Sequence, residues 1–369
     1  MAKKNLFNPS FSKIPSIYID QGETLQYLTD AVANENSPYR AALIDGVRGS
    51  GKTTLLNRFI EALPKKVVSI RVQNADAMLD MILDQAYKQI SRGADVTSSI
   101  SVLGVGLTAK EYIYDPVSFD GRLRAALEII GKKKLVVFAI DEVQGNSENI
   151  RLFGATYNTL LAEGYNVMLA MTGVPEGIQR MIRDESLTFL RRAQRITMKP
   201  FQADVIADEY LKVFAETGKK LDLPTAQTFA AVSMGYSYAF QLIGYYAWPL
   251  ADKPLKQLDI ETIISQTRQS IIQNVYDDLY DDLTPKKLEF LLAMANYAGA
   301  DLQHVPISHI VDSMPNSDGT KNKNAVNQMR INLIKDGLIV SSSVGFVSFA
   351  LPFMRYFFTT KMALNNAWL

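Results

Sequence analysis

The chain has 369 residues, 47% apolar and 21% charged, with a formal net charge of +1 at pH 7. That length predicts two or three domains, and the charge balance excludes a protein that coats nucleic acid or acidic membrane by bulk charge. There is no cysteine, so disulfides, thiolate metal sites and cysteine catalysis are excluded as well.

The N-terminal MAKKNLFNPSFSK has no apolar core behind its lysines, so it does not read as a secretory signal. From about 40 to 201, short β-type runs alternate with helical patterns, which predicts an α/β fold with a parallel sheet and crossover helices. The candidate strands are RAALID (40–45), KVVSIRV (66–72), KLVVFAID (134–141), YNVMLAM (165–171) and RITMK (195–199). After the first strand, Leu55, Leu56, Phe59, Ile60 and Leu63 form one helical face, stopped by Pro64. SISVLGVGLTAKEY (99–112), glycine-rich and almost uncharged, reads as a hairpin or loop insertion.

From about 202 the pattern becomes helical through VIADEYLKVFAETG (205–218), PTAQTFAAVSMG (224–235), AFQLIGYYAW (239–248) and QLDIETIISQTRQSIIQNVY (257–276). The longest apolar stretch, GYSYAFQLIGYYAWPL (235–250), is interrupted by Gly, Ser, Gln and Pro. It falls short of the roughly 20 apolar residues of a membrane span. A cytoplasmic protein without a membrane partner is expected. YDDLYDDLTP (276–285) places four aspartates in six residues. These lack the Gly and Glu spacing of a calcium loop, and a solvated hinge at a domain boundary is the expected role.

Residues 283–369 read as three helices followed by a hairpin: TPKKLEFLLAMANYA (284–298), VPISHIVDSM (305–314), KNAVNQMRINLIKDG (323–337), then LIVSSS (338–343) and GFVSFAL (345–351). This is the order of a winged helix-turn-helix. The expected domains are an α/β core over 1–201, a helical lid and linker over 202–282, and the winged helix over 283–369.

The chemistry is concentrated in two motifs. Gly46-Val47-Arg48-Gly49-Ser50-Gly51-Lys52-Thr53, followed by Thr54, matches G-x-x-x-x-G-K-[ST] between a buried strand and an amphipathic helix. Backbone N–H groups of such a loop turn inward on phosphates, helped by the helix N-terminus. For a bound ATP or ADP, Lys52 is expected to reach the terminal phosphates, the β- and γ-phosphates in ATP, and the Thr53 hydroxyl to ligate Mg²⁺. LVVFAIDE (135–142) is a buried strand ending in two carboxylates: Asp141 to hold Mg²⁺ and Glu142 to orient and deprotonate the attacking water. A metabolic kinase has no need of that second acid, so hydrolysis is favoured.

Two weaker signals accompany these. Thr172 ends a strand expected between those carrying the phosphate loop and Asp141, where its hydroxyl either helps position the water or merely starts a turn. Arg191, Arg192 and Arg195 cluster at the edge of the core. Either an arginine reaches a neighbouring subunit's γ-phosphate, or this is a solvated basic helix end. His304 and His309 are five apart, wrong for one helix face, so no metal site is expected there.

With these residues in order, the chain resembles the AAA+ ATPases, P-loop NTPases with an αβα sandwich. More narrowly, it is similar to prokaryotic ATP-binding proteins related to origin-recognition-type initiators and to STAND-like signalling ATPases. PSFSKIPSIYIDQGETL (9–25), GVRGSGKTTLL, VVFAIDEVQ, MTGVPEG (171–177), FLRRAQRITMKPF (189–201), GYSYAFQLIG and FALPFMRYFF (349–358) carry the resemblance. It implies a five-stranded core, a helical lid and a C-terminal winged helix.

Two departures stand out. Asp20-Gln21 replaces the Gly-Arg pair often found near the adenine, which leaves base recognition to contacts around Ile17 and Tyr18. Tyr238 stands where initiators carry a lid arginine that contacts the γ-phosphate, and tyrosine supplies no such charge.

The implied function is a Mg²⁺-dependent ATP-hydrolysing switch that couples nucleotide state to double-stranded DNA through residues 283–369. The alternative is a STAND-like signalling ATPase whose winged helix mediates autoinhibition and assembly with itself or a protein partner. The C-terminal segment carries eight Lys or Arg against five Asp or Glu, a modest excess for a DNA reader. Its third helix offers Asn324, Asn327, Gln328, Arg330 and Asn332 to base edges or phosphates.

Overall fold

The computed structural model describes residues 4–10, 15–47, 49–93, 118–143, 147–276, 280, 283–315, 319–351 and 353–366. Arg48, the 99–112 segment and most of the acidic run at 277–282 lie outside the described residues. The chain divides into two compact units. One comprises Asp20–Gly46 and Lys52–Met198; the other comprises Met1–Ile19, Val47–Gly51 and Lys199–Leu369.

The first unit is the α/β unit. Its strands are β1 (Ala41–Asp45), β2 (Val68–Gln73), β3 (Val136–Val143), β4 (Val167–Gly173) and β5 (Gln194–Thr197). Its helices are α1 (Thr24–Ala33), α2 (Lys52–Ala62), α3 (Met78–Gly93), α4 (Phe119–Ile130), α5 (Glu148–Ala162) and α6 (Pro175–Arg183). The strands form one parallel sheet in the order β2-β3-β4-β1-β5. Thus β4 lies between the strand that precedes the phosphate loop and the strand that carries Asp141, as expected.

The burial explains the near-continuous apolar runs. Val136 to Ile140 and all seven residues of β4 are buried, as befits strands covered on both faces. Phe138 is fully buried, with its ring 5.3 Å from that of Phe153 and 6.2 Å from that of Tyr157. At the edge of the sheet, β2 does not leave its outer backbone bare. The Arg71 N–H donates to Gln85 Oε1 at 2.7 Å, and Gln85 Nε2 donates back to the Arg71 carbonyl. A side chain of α3 thus occupies the ladder position where another chain could pair.

The second unit contains α7 (Ala203–Glu216), α8 (Leu223–Ser233), α9 (Ser237–Ala247) and α10 (Gln257–Ile271), and then α11 (Pro285–Ala295), β6 (Val305–Pro306), α12 (Ile307–Ser313), α13 (Lys323–Lys335), β7 (Ile339–Ser343), β8 (Phe346–Phe349) and α14 (Met354–Asn366). Phe7 from the N-terminal segment packs its ring against Tyr210, Phe214 and Phe240 of α7 and α9. The last three strands form an antiparallel sheet in the order β6-β8-β7. The sequence pattern reads 305–314 as one helix, but its first two residues are extended. Val305 precedes a proline, which disfavours the helical region, and it pairs with Val347 of β8 instead.

One side chain ties this C-terminal part together. Arg355 of α14 donates from Nη1 to the carbonyls of Ala295 and Tyr297 at 2.7 and 2.9 Å, and from Nη2 to that of Leu302 at 2.6 Å. Among the described residues, no helix is long and apolar enough to cross a membrane.

Phe138→Ala should destabilise the α/β unit by about 3–5 kcal/mol, the range for deleting a fully buried aromatic ring. Urea unfolding followed by circular dichroism measures the loss; a change under about 1 kcal/mol would show that this core is not packed around the ring.

Candidate nucleotide site

Asp141 is fully buried near the C-terminal end of β3. Its Oδ1 accepts from the Thr53 hydroxyl at 3.2 Å, from the Glu142 N–H at 3.1 Å and from the Thr172 hydroxyl. These three donors come from the first turn of α2, from the adjoining backbone and from the end of β4. The other oxygen, Oδ2, is buried and has no hydrogen-bond partner. Across from it, Arg71 Nη2 of β2 lies 3.8 Å away.

The backbone around this carboxylate is irregular. Ile140 pairs with Met171 and Val143 pairs with Gly173, so β3 spends three steps where β4 spends two. This bulge leaves Asp141 and Glu142 opposite Thr172 alone. Glu142 takes φ +58°, a left-handed conformation that costs an L-residue of this kind on the order of 1–2 kcal/mol. Its side chain is exposed, and its N–H also lies 3.2 Å from Thr172 Oγ1. A Cβ at Gly173 would come within 2.7 Å of the Val143 carbonyl, so the bulge closes only over a glycine. Strain held at a carboxylate is the kind of feature that clusters at active sites.

Lys52, the first residue of α2, folds back so that Nζ donates to the Gly46 carbonyl at 2.8 Å. Just before the loop, the buried Asp45 receives Arg195 Nη2 of β5 at 2.5 Å. Glu176, half-buried at the start of α6, has its carboxyl pushed upward, chiefly by burial, with Asp45 adding to the effect.

The second unit holds the loop apex, Val47–Gly51. Tyr236 sits on Gly49: a Cβ there would lie 2.1 Å from the phenolic oxygen. Ser237 donates its hydroxyl to the Ser50 carbonyl at 3.2 Å.

The α/β unit therefore gathers Lys52, Thr53, Asp141, Glu142 and Thr172. Gly46 and Thr54 flank them in sequence, and Val47, Gly49, Ser50 and Gly51 fall in the second unit. Arg48 lies outside the described residues. Thr172 donates its hydroxyl to Asp141 and accepts from the Glu142 N–H. Arg195 is engaged within its own chain by Asp45. Arg191 is exposed and donates to the Ile182 carbonyl at 3.3 Å, while Arg192 is exposed beside it.

Ile17 is buried among the helices of the second unit, and its carbonyl accepts Gln241 Nε2 at 3.3 Å; Tyr18 next to it is half-buried. Tyr238 is buried, its hydroxyl accepting from Asn274 at 3.3 Å, and burial raises its pKa. Sequence reasoning singled out Tyr238 and missed Tyr236, Arg71 and the Asp45–Arg195 pair. A run of tyrosines at 236 and 238 offers no local signal of which ring meets the loop. His304 pairs with Asp301 at 2.7 Å, and His309 Nε2 lies 3.1 Å from the Ala293 carbonyl.

Comparison with known proteins agrees with this architecture. Residues 273–358 match a family described as a domain of unknown function (DUF8462). No curated protein matches the sequence. In structure, the chain is similar to the Walker-type ATPase PABY2304 of Pyrococcus abyssi, with a TM-score of 0.64 at 20% identity over 93% of this chain and 96% of that one. It is also similar to the ORC2 protein of Aeropyrum pernix in its ADPNP–ADP complexes, with a TM-score of 0.63 at 13% identity over 96% and 98%. The chain thus shares its overall α/β fold, with the five-stranded parallel sheet, with these two proteins.

Glu142→Gly should relieve the left-handed strain and raise stability by about 1 kcal/mol, whereas Glu142→Gln should leave it unchanged. Urea midpoints at unchanged slope measure both; a loss of stability on the glycine substitution would contradict the strained geometry.

Proposed function

We propose that the chain binds ATP with Mg²⁺ and hydrolyses it, acting as a nucleotide-dependent switch. The observation that carries this reading is the Asp141 carboxylate, with one oxygen saturated by three donors and the other buried without a hydrogen bond. Beside it stands the Thr53 hydroxyl. One carboxylate and one hydroxyl form the donor set that Mg²⁺ takes from a protein when nucleotide phosphates and water supply the remaining ligands. The residues fit the ion: Thr53 and Asp141 would hold it. When bound, it neutralises charge on the β- and γ-phosphates.

The chain's own groups supply the rest. The N–H groups of Gly46 to Thr54 cradle the phosphates, and Lys52 exchanges the Gly46 carbonyl for phosphate oxygen. Glu142, exposed and one residue beyond Asp141, orients the attacking water and takes its proton. Thr172 fixes Asp141 and so sets the site's geometry. Arg191 and Arg192, both exposed, are the arginines assigned to a neighbouring subunit's nucleotide. Base recognition is assigned to backbone and apolar contacts around Ile17 and Tyr18, and Tyr238 is the lid residue that stands where an arginine would face the nucleotide.

For the output we favour a winged helix over 283–369 that reads duplex DNA. The order α11-β6-α12-α13-β7-β8 supports that architecture. The exposed Asn324, Asn327 and Gln328 of α13 support base-edge contact. The charge and exposure of this segment favour a second reading, assembly with protein. Lys287, Lys321 and Arg355 are already engaged by Asp336, Asp312 and backbone carbonyls. The hairpin also has no basic residue, and Val344 at its tip is fully exposed.

Lys52→Ala should abolish nucleotide binding, and Glu142→Gln should bind ATP while turnover falls by about 10²-fold or more. Calorimetric titration and phosphate release measure these; normal hydrolysis by Glu142→Gln would refute the mechanism. Binding of random duplex should weaken steeply with salt and drop on Arg330→Ala. ATP-dependent assembly without any duplex binding at low salt would select the second reading.

A further inference from the structure

Three positions of the phosphate loop are held by the second unit. Val47 packs its side chain against an apolar cluster that runs through Tyr236, Tyr238 and Leu242 of the α9 region to Phe290 of α11, Val326 and Leu333 of α13, and Phe357 of α14. Gly49 lies beneath the Tyr236 ring: beyond the phenolic oxygen, two further ring carbons lie 2.5 and 2.6 Å from where its Cβ would be. Ser50 gives its carbonyl to the Ser237 hydroxyl, and its N–H donates to the Val47 carbonyl at 3.2 Å. Gly49 takes φ +75°, so the close approach of the ring and the left-handed turn coincide at one residue.

Tyr236 is itself fixed by the turn that precedes α9. Met234 and Gly235 are both left-handed, and the Phe201 N–H donates to the Gly235 carbonyl at 3.0 Å. The Tyr236 N–H donates to the Ser233 carbonyl at 2.9 Å, and its ring meets that of Tyr238 edge-on at 6.2 Å. Tyr236 is 3% exposed. The ring that covers the loop is therefore part of the same packed body as α11, α13 and α14.

We propose that Tyr236 is a positioning residue of the phosphate loop. It holds the loop apex in its curled form, and it makes binding of a nucleoside di- or triphosphate and the order of the C-terminal segment mutually dependent. This rests on the nucleotide reading of the site and goes beyond it by assigning the coupling to one side chain. An apex whose residues 47 and 49 touch one apolar body, and whose residue 50 accepts a hydrogen bond from Ser237 of the helix α9 that helps build it, cannot change its curl without moving that body, because close-packed cores are not continuously deformable. By linkage, whatever phosphates do to the body, a ligand of the body does in equal measure to phosphate affinity.

The test uses the full chain and its Tyr236→Leu and Tyr236→Phe variants. Leucine keeps an apolar side chain in the cluster but withdraws the ring from Gly49; phenylalanine keeps the ring. Fluorescently labelled ADP reports affinity, and hydrogen exchange over 323–349 with and without saturating ADP reports the coupling. Thermal unfolding confirms that each variant is folded.

The wild-type chain and Tyr236→Phe should bind ADP and change their exchange over 323–349. Tyr236→Leu should bind about tenfold more weakly, the scale of one lost supporting contact, and show no exchange response at saturation. An unchanged affinity or a retained response in Tyr236→Leu overturns the proposal while leaving the nucleotide site intact. If the wild-type chain binds no labelled ADP, the nucleotide reading falls first and this inference with it.

Discussion

The arrangement depends on one buried carboxylate. Asp141 has no solvent to satisfy it, and an unsatisfied charge in a protein interior is costly enough that surrounding groups must be arranged for it. Here three donors from three separate elements converge on Oδ1. Each constrains part of the fold. The Thr53 contact sets the first turn of α2 against β3, and with it the end of the phosphate loop. The Thr172 contact requires β4 to lie next to β3 with its last residues in register. The Glu142 N–H reaches Oδ1 in a bulge where Glu142 is left-handed and Gly173 admits the Val143 carbonyl.

That satisfaction is one-sided. Oδ2 is left with a guanidinium at 3.8 Å and no hydrogen bond. A site built only for stability would pair both oxygens, since an orphaned buried acceptor loses its hydration with nothing in return. The asymmetry is intelligible if the second oxygen faces a cation during function. The Lys52 ammonium, meanwhile, rests on a loop carbonyl, a contact that phosphate oxygens can replace.

Much of this was legible in the sequence because the signals were local. The buried strands appear as runs of Val, Ile, Leu and Ala, and the loop motif between β1 and α2 specifies its neighbours by spacing alone. The adjacency of Asp141 and Glu142 at the end of β3 was equally plain. What was not legible depends on partners remote in the chain. The left-handed Glu142 follows from a register shift between two strands about 30 residues apart, which no periodicity encodes. Arg195 looked free in sequence, because its partner Asp45 lies 150 residues earlier. Tyr236 and Tyr238 are equivalent by pattern, and only the left-handed pair at Met234 and Gly235 decides which ring covers Gly49. The two-residue β6 was hidden inside a helical pattern, since a strand so short carries no alternation to detect.

The central claim is that Asp141 and Thr53 form a Mg²⁺ site that works only with nucleotide phosphates. Calorimetric titration of ADP with and without Mg²⁺, on the wild-type chain and on Asp141→Asn, tests it most directly. Mg²⁺ should tighten ADP binding to the wild-type chain and have little effect on Asp141→Asn, with metal-free affinity similar in both. Equal Mg²⁺ enhancement in the two proteins would contradict it.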